Sequence, residues 1–177
     1  LCILVPIFLT DIVILHALTK NEHAEQLHQM EKIAKSVQSM LSAATEDSAL
    51  ISTSLYMDNS LQDFVSRQYA SPQDYFSNYR EYIHNSLLQG VSRITNSVIR
   101  VYADNETLIN GSEFARLSTV SQEPWYQQYT ADGYSPRLLF SYDETDGRQV
   151  LFLRGMNGLY SDKAECLLCI EINYSTL

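Results

Sequence analysis

The histidines and acidic residues of this sequence do not form a pattern that supports catalysis or metal binding. His23 and His28 are five residues apart, which places them on different faces of a helix, and His84 stands alone. The sequence has no glycine-rich phosphate loop, no nucleophile elbow and no Cys/His pair with an acid to orient it. We therefore predict no catalytic residue, no metal site and no cofactor within this chain.

Two of the three cysteines form a Cys-x-x-Cys pair, a spacing that occurs in zinc and redox sites. Cys166 and Cys169 lie in a strand-like run, however, where residues three apart are about 10 Å from each other and point to opposite faces. No second pair or nearby histidine completes a set of four ligands. We expect packed thiols without a disulfide, because free cysteine behaves as a small apolar side chain.

The chain is rich in aromatic residues, with twelve Tyr and six Phe, which is compatible with a small-molecule pocket. Strand alternation over Val98–Asp104 places Arg100 and Tyr102 on one face. The run Gln149–Gly155 carries another arginine, Arg154, whose guanidinium could hold a carboxylate in bidentate fashion. Core packing of the aromatic residues and an internal ion pair of the arginine stay open as the alternative.

The N-terminal segment Leu1–Thr19 has the length and composition of a membrane span. It contains twelve Leu, Ile, Val or Phe residues, and as a helix it is about 28 Å long, close to the ~30 Å hydrocarbon core. Asp11 opposes insertion by about 2.5–3.5 kcal/mol, which the apolar residues outweigh at about −0.3 to −0.6 kcal/mol each. We expect an uncleaved anchor. A cleaved signal peptide is the alternative, with only a weak cleavage site at Leu15–Ala17.

After Lys20, apolar or small residues recur at alternating spacings of three and four, the heptad pattern of paired helices. The pattern predicts a long stalk helix. Its distal part, with Ser48, Ile51 and Leu55, can cover a globular domain, and a single packing helix is the alternative to a dimer. The candidate dimer seam consists of Leu27, Met30, Ala34, Val37 and Leu41.

Helices are predicted first in the remaining chain, and strands follow. Leu61–Tyr69 is a short helix, and Ser71 followed by Pro72 begins a second helix that closes at Gly90. From Ser97 the apolar period changes to two, which predicts strands. The predicted strands are Val98–Asp104, Thr107–Asn110, Arg137–Tyr142, Gln149–Gly155 and Glu165–Asn173, with a helical crossover, Glu113–Tyr129, after the second.

The net charge of −9 argues against nucleic acid as a partner, because nucleic-acid binding needs a basic face. About 155 residues outside the apolar segment suffice for one domain with its own core. We predict an α+β fold. A transmembrane helix continues into the stalk helix and is followed by a lobe with a five-stranded antiparallel sheet.

Five strands with a helical excursion after the second, behind a long N-terminal helix, resemble the PAS-like sensor fold in its Cache variant. Short segments across nearly the whole chain are similar to the extracytoplasmic region of YesM-type bacterial sensor histidine kinases. These segments are Val5-Pro6, Ser54–Asp58, Val101–Asn105, Pro124–Tyr126, Leu153–Asn157 and Ile170–Tyr174. As the resemblance implies, that family has two membrane spans around a double Cache ectodomain, then a HAMP segment and a cytoplasmic kinase that phosphorylates a response regulator.

The resemblance implies four parts of this chain: a transmembrane helix at residues 1–19, a stalk at 20–57, helices packing on the sheet at 58–92 and the membrane-distal Cache lobe at 93–177. Residues 20–177 would lie outside the cytoplasm of a bacterial cell. The chain begins with Leu and stops after the strand that closes the distal lobe. We therefore expect a cytoplasmic lead-in before it, and a second lobe, second span and kinase after it.

In Cache domains the ligand lies between the sheet and the crossover segment, so the resemblance implies a pocket there. The candidate lining is Tyr102, Trp125, Tyr126, Tyr142, Arg154 and Asn157. Cache domains that bind amino acids carry an Arg two residues before this Trp, where Glu123 stands here. The ligand therefore stays open between a sugar, a peptide, an acid and none at all.

The expected function is that of the sensing region of a dimeric sensor histidine kinase in a two-component system. A small molecule or a solute-binding protein supplies the signal, which the N-terminal helix passes to a kinase elsewhere in the protein. The alternatives are the ectodomain of a Cache-type chemoreceptor and a membrane-anchored binding module without a kinase. An anchored hydrolase would need a catalytic constellation that the sequence lacks.

Overall fold

The computed structural model describes residues 4–95, 97–143, 147–156 and 165–172. Leu1–Ser42 and Ala43–Leu177 form two compact units. The α+β class and the long N-terminal helix are confirmed. The elements are α1 (Leu4–Tyr56), α2 (Asn59–Ser66), α3 (Pro72–Asn85), α4 (Leu87–Thr95), β1 (Val98–Ala103), β2 (Phe114–Arg116), a 3-10 turn (Leu117–Thr119), α5 (Pro124–Ala131), β3 (Arg137–Asp143), β4 (Gly147–Gly155) and β5 (Cys166–Ile172).

Helix α1 runs for 53 residues without interruption. Its one proline, Pro6, lies in the first turn, where the missing N–H has no intrahelical partner to lose. The side chains of the predicted anchor, residues 1–19, lie outside the described residues. In the part of the chain that the structure describes, no helix combines the length and the apolar character needed to cross a membrane.

Helices α2 and α3 begin at side-chain caps. The Asp58 carboxylate accepts hydrogen bonds from the backbone N–H groups of Ser60 and Leu61, and the Ser71 hydroxyl accepts from Asp74 N–H at 3.2 Å. These contacts satisfy N–H groups that have no carbonyl partner in the first turn. The helices therefore start where the sequence carries Asp or Ser ahead of a polar first turn.

The prediction of a single helix from Pro72 to Gly90 is wrong, because the chain leaves the helical conformation at Ser86. Ser86 is extended, with ψ of 141°. Its hydroxyl donates to the Ile83 carbonyl at 3.2 Å and accepts from the Gln89 N–H at 3.4 Å. One serine thus closes α3 and caps α4, and Gly90 lies inside the second of these helices.

The five strands form a mixed sheet in the order β2-β1-β5-β4-β3. Three neighbouring pairs are antiparallel, but β1 and β2 are parallel, with Val101 opposite Phe114. The predicted all-antiparallel sheet is therefore wrong at this edge. The last three predicted strands are present, with ends that differ by one or two residues.

The connection after β1 explains the parallel pair. The sequence predicts a hairpin with Thr107–Asn110 as its second strand, whereas these residues form a loop. Asn105 is buried, and its side-chain amide donates to the carbonyls of Val65 and Arg67 at 2.9 and 2.8 Å. The chain is thus held at the end of α2 and cannot turn directly back along β1.

Strand β2 occupies the beginning of the segment predicted as a helical crossover, Glu113–Tyr129. Only Pro124–Ala131 of this region is an α-helix, and Phe114–Arg116 pairs with the sheet instead. Proline at the first position favours the start of α5, because its fixed φ matches the helix and its missing N–H costs no bond. The crossover is therefore shorter than predicted.

The sheet separates two apolar layers. On one face, α5 packs against side chains of β1, β3, β4 and β5. Alternate residues point to the opposite face, where Phe64 of α2 contacts Phe114 with ring centroids 4.7 Å apart. The core of the α5 face consists of Tyr102, Ala115, Leu117, Val120, Trp125, Tyr129, Leu139, Leu151, Leu153, Leu167 and Cys169.

Candidate functional site

The candidate site is a pocket of about 200 Å³ between the sheet and the start of α5, which we call the sheet-face pocket. It lies on the side of the sheet where the sequence analysis places a ligand. The aromatic part of its lining is Tyr102 and Trp125, whose ring centroids are 6.0 Å apart. The polar part is Arg100, Glu123, Gln149 and Glu171.

Strand register brings these polar side chains to one place. Glu171 of β5 stands opposite Val98 of β1 and Leu151 of β4, and all three line the pocket. Arg100 is opposite Cys169, two residues further along the same face. Three adjacent strands therefore supply one wall, and the segment entering α5 supplies the other.

Arg100 is held by two hydrogen bonds. Its Nε donates to the Ser112 carbonyl at 3.0 Å, and one terminal nitrogen donates to the Tyr102 hydroxyl at 3.4 Å. The bond with Tyr102 raises the pKa of Arg100, whereas burial raises the pKa of the Tyr102 phenol. The pocket therefore presents a fixed cation beside a neutral phenol.

The charges of the pocket have both signs. Arg100 is the cation, and the carboxylates of Glu123 and Glu171 face the same space. A small polar molecule with both donor and acceptor groups, or with charges of both signs, complements such a lining.

The structure brings three of the six candidate residues together. Tyr102 and Trp125 line the pocket, and Tyr126 packs perpendicular to Trp125 with ring centroids 6.0 Å apart. Tyr126 is partly buried against the same core. Burial raises the pKa of its phenol to about 12, so the phenol is neutral at physiological pH.

The other candidates are placed elsewhere or are not described. Tyr142 is 71% exposed and, by alternation from Leu139, points away from α5. The Arg154 guanidinium lies on the same far face, 2.8 Å from Thr53 Oγ1 and 4.8 Å from the Tyr56 ring centroid. Asn157 lies outside the described residues.

Sequence reasoning missed the polar side of the pocket. The alternation that selects Tyr102 also selects Arg100, so this cation was within reach of the sequence. Glu171 and Gln149 line the pocket because of the strand register, which the sequence pattern does not predict. Glu123, which is not among the six candidate residues, also lines the pocket.

Cys166 and Cys169 are both buried and are not joined in a disulfide, which confirms the prediction of packed thiols. Burial raises the pKa of the Cys169 thiol to about 12. Because the thiolate is the form that attacks and binds metals, Cys169 is unsuited to either role. Across the described ranges, no group of three or more His, Cys, Asp or Glu side chains could hold a metal ion.

Comparison of the chain with protein-family models finds no match. Comparisons with curated proteins and with solved structures find no match either. Function is therefore inferred from the geometry and chemistry of the site.

Proposed function

We propose that this chain is the sensing region of a bacterial sensor histidine kinase of the Cache type. Residues 1–19 anchor it in the cell membrane, and residues 20–177 lie outside the cytoplasm. The kinase, and the response regulator that it phosphorylates, belong to the signalling pathway beyond this chain. The chain itself contributes recognition of a signal and its transfer to helix α1.

The observation that carries the proposal is that the same strands connect a polar pocket to α1. Leu151 of β4 lines the sheet-face pocket, and three residues later Arg154 bonds the distal part of α1. A ligand that draws Arg100 and Glu171 towards each other shifts β1 and β5. Strand β4 lies beside β5, so this displacement reaches Arg154 and α1.

Such a switch needs only a ligand that binds two packings of the sheet with different affinity. The sheet-face pocket is small, at about 200 Å³, and its charges suit a compact polar solute. The solute arrives free or on a solute-binding protein. A displacement of the distal part of α1 is then passed along the helix towards the membrane.

Helix α1 also supports a homodimer. Its candidate seam exposes large apolar side chains, with Leu27 67%, Met30 66% and Val37 44% accessible. Their spacing of three and seven residues is that of a coiled-coil seam. Pairing of two stalks covers this stripe. The displacement of one α1 is then a displacement relative to the α1 of the second copy.

The sheet-face pocket is tested by thermal-shift assays of the full chain with a panel of amino acids, dipeptides, organic acids and sugars. We expect at least one compound to raise the melting temperature, and Arg100→Ala and Trp125→Ala to abolish that shift. Arg148→Ala, an exposed arginine on β4, is the matched control and should keep it. A ligand shift that survives both pocket substitutions would overturn the assignment of this site.

The kinase part of the proposal is tested by reading the gene beyond Leu177. The proposal requires a second membrane span and the sequence boxes of a histidine kinase. A methylated signalling coiled coil there would favour the chemoreceptor. A stop codon directly after residue 177 would contradict both the kinase and the chemoreceptor.

A further inference from the structure

A second cavity lies among the helices, between α2 and α3. It has a volume of about 550 Å³, compared with about 200 Å³ for the sheet-face pocket. Small-molecule sites typically measure about 300–1,000 Å³. We call it the helical groove. None of the residues considered so far as ligand contacts lines it.

The helical groove is lined by groups that hydrogen-bond in different ways. Asp63 and Glu81 offer carboxylates, which only accept, and Arg67 offers a guanidinium, which only donates. Asn78 carries both an acceptor and a donor. A ligand that satisfies this mixture must donate and accept from the same surface, as hydroxyl groups do.

One hydroxyl of the groove residues is left without a partner. In the part of the chain that the structure describes, the buried oxygen of Ser66 makes no hydrogen bond. Burial raises the pKa of Tyr82, and Asp58 adds to this effect, while a hydrogen bond with the Ser86 side chain opposes it, so the phenol keeps its proton. A buried hydroxyl without a hydrogen-bond partner lowers the free energy of unfolding unless a ligand or a water supplies the partner.

The groove also has an aromatic wall. The rings of Phe64 and Tyr82 stack with centroids 4.9 Å apart and an interplanar angle of 20°. Phe64 is buried in this stack, so the half-buried Tyr82 is the ring that a ligand in the groove can reach. A sugar ring has apolar C–H faces and a polar rim of hydroxyls. Such a molecule can rest its carbon face on this wall and direct its hydroxyls to the surrounding polar groups.

Charge decides between classes of ligand. Two carboxylates against one guanidinium give the lining a formal charge of −1, which disfavours phosphate and other anions. A cationic ligand would be repelled by the Arg67 guanidinium in the same space. We propose that the helical groove binds a neutral, polyhydroxylated small molecule, such as a sugar or a cyclitol. This site is independent of the sheet-face pocket and of any kinase.

The test is saturation-transfer NMR on the full chain, in a zwitterionic detergent without sugar groups. The probes are glucose, galactose, xylose, maltose and myo-inositol. We expect saturation of at least one probe, and at least tenfold weaker binding after Glu81→Ala or Arg67→Ala. Arg80→Ala removes an exposed arginine of α3 outside the groove lining and should leave binding unchanged.

Three results would overturn the proposal. These are no saturation of any probe, binding that is unaffected by both groove substitutions, and binding that is lost only in Trp125→Ala. The last result assigns the sugar to the sheet-face pocket and leaves the groove empty. Retention of binding in Trp125→Ala, with loss in the groove variants, supports the groove whatever becomes of the sensor function.

Ser66→Ala gives a second readout, which a purely structural role would not produce. The substitution removes an unsatisfied hydroxyl, so the melting temperature of the free protein should stay the same or rise. Affinity for the bound probe should fall at least threefold, because Ser66 lines the groove and its hydroxyl has no protein partner to give up. A lower melting temperature with unchanged affinity would contradict the proposal.

Discussion

Arg154 joins the sheet to the distal part of α1 through three contacts. One terminal nitrogen lies 2.8 Å from Thr53 Oγ1 and 3.2 Å from Ser52 Oγ, and its Cζ lies 4.8 Å from the Tyr56 ring centroid. Ser52 is fully buried, so its hydroxyl depends on protein partners. The arginine thus stabilises the packing of β4 against the helix.

Arg154→Ala should lower the free energy of unfolding by about 1.5 kcal/mol. The estimate combines hydrogen bonds to a charged donor with one cation–π contact at a partly exposed site. Urea denaturation of the full chain measures it. Arg148→Ala on the same strand should cost less than about 0.5 kcal/mol, and equal costs would show that the three contacts contribute nothing specific.

The two arginines also show what the sequence could and could not tell about the site. Alternation places Arg100 with Tyr102 and assigns Arg154 to a face of β4, but it does not say which faces of two strands coincide. That depends on register through β5, where Arg100 stands opposite Cys169 and Arg154 opposite Leu168. A shift of one residue between β4 and β5 would bring Arg154 to the face of the sheet that carries Arg100.

The loop between β1 and β2 determines the direction of the edge strand. Asn105 makes two hydrogen bonds to carbonyls at the end of α2, and its own oxygen accepts from Thr107 N–H at 3.0 Å. Locally this segment has the polar residues of a hairpin turn, which is why a hairpin was predicted. The partners that decide otherwise are about forty residues away along the chain, beyond the reach of turn propensities.

Asn105→Ala should lower the free energy of unfolding by about 3 kcal/mol, because it leaves the Val65 and Arg67 carbonyls without their donors. Guanidinium denaturation measures the loss. Asn110→Ala is the matched control. Asn110 is exposed and accepts one hydrogen bond from Arg116 N–H, so its cost should stay below about 1 kcal/mol. If the two variants are equally stable, Asn105 does not hold the loop.

Periodic and capping signals in the sequence predict where the helices of this chain lie. They predict the residues at which helices end less well. The heptad run predicts α1, and Ser71 with Pro72 predicts the start of α3. The sequence does not reveal the break at Ser86, since a serine inside an amphipathic stretch can also point to solvent or bond the preceding turn without ending the helix. Its capping bonds to Ile83 and Gln89 are visible only in the structure.

The domain buries a thiol and several phenols, so its stability falls as the pH rises in the alkaline range. Burial raises the pKa of Cys169 to about 12 from 9.0, and those of Tyr75 and Tyr126 to about 12 from 10.0. Above the ordinary values the unfolded chain releases these protons and the folded chain retains them. Stability is therefore full below about pH 9 and is lost progressively between about pH 9 and pH 12.

We expect the urea midpoint of the full chain to be level from about pH 7 to pH 9 and to fall steadily up to about pH 11. Tyr75→Phe removes one of the phenols concerned, so the variant should lose less stability over the same interval. A flat profile up to pH 11, or an identical slope in the variant, would contradict this assignment of the buried protons.

The stalk is where a dimeric receptor is most directly tested. Seam residues Leu27 and Met30 are 67% and 66% exposed, and in a parallel coiled coil each lies against its own counterpart. In a chain with Cys2→Ser, L27C and M30C should form disulfide-linked dimers in membranes under mild oxidation.

Lys32, five residues after Leu27 in the heptad, points away from the seam, so K32C should crosslink at least tenfold more slowly. Equal rates at all three positions would indicate random collision, and the absence of linked dimers at both seam positions would exclude a parallel stalk. Because a disulfide needs Cα atoms within about 7 Å, crosslinking at the seam alone would define both the register and the direction of the two helices.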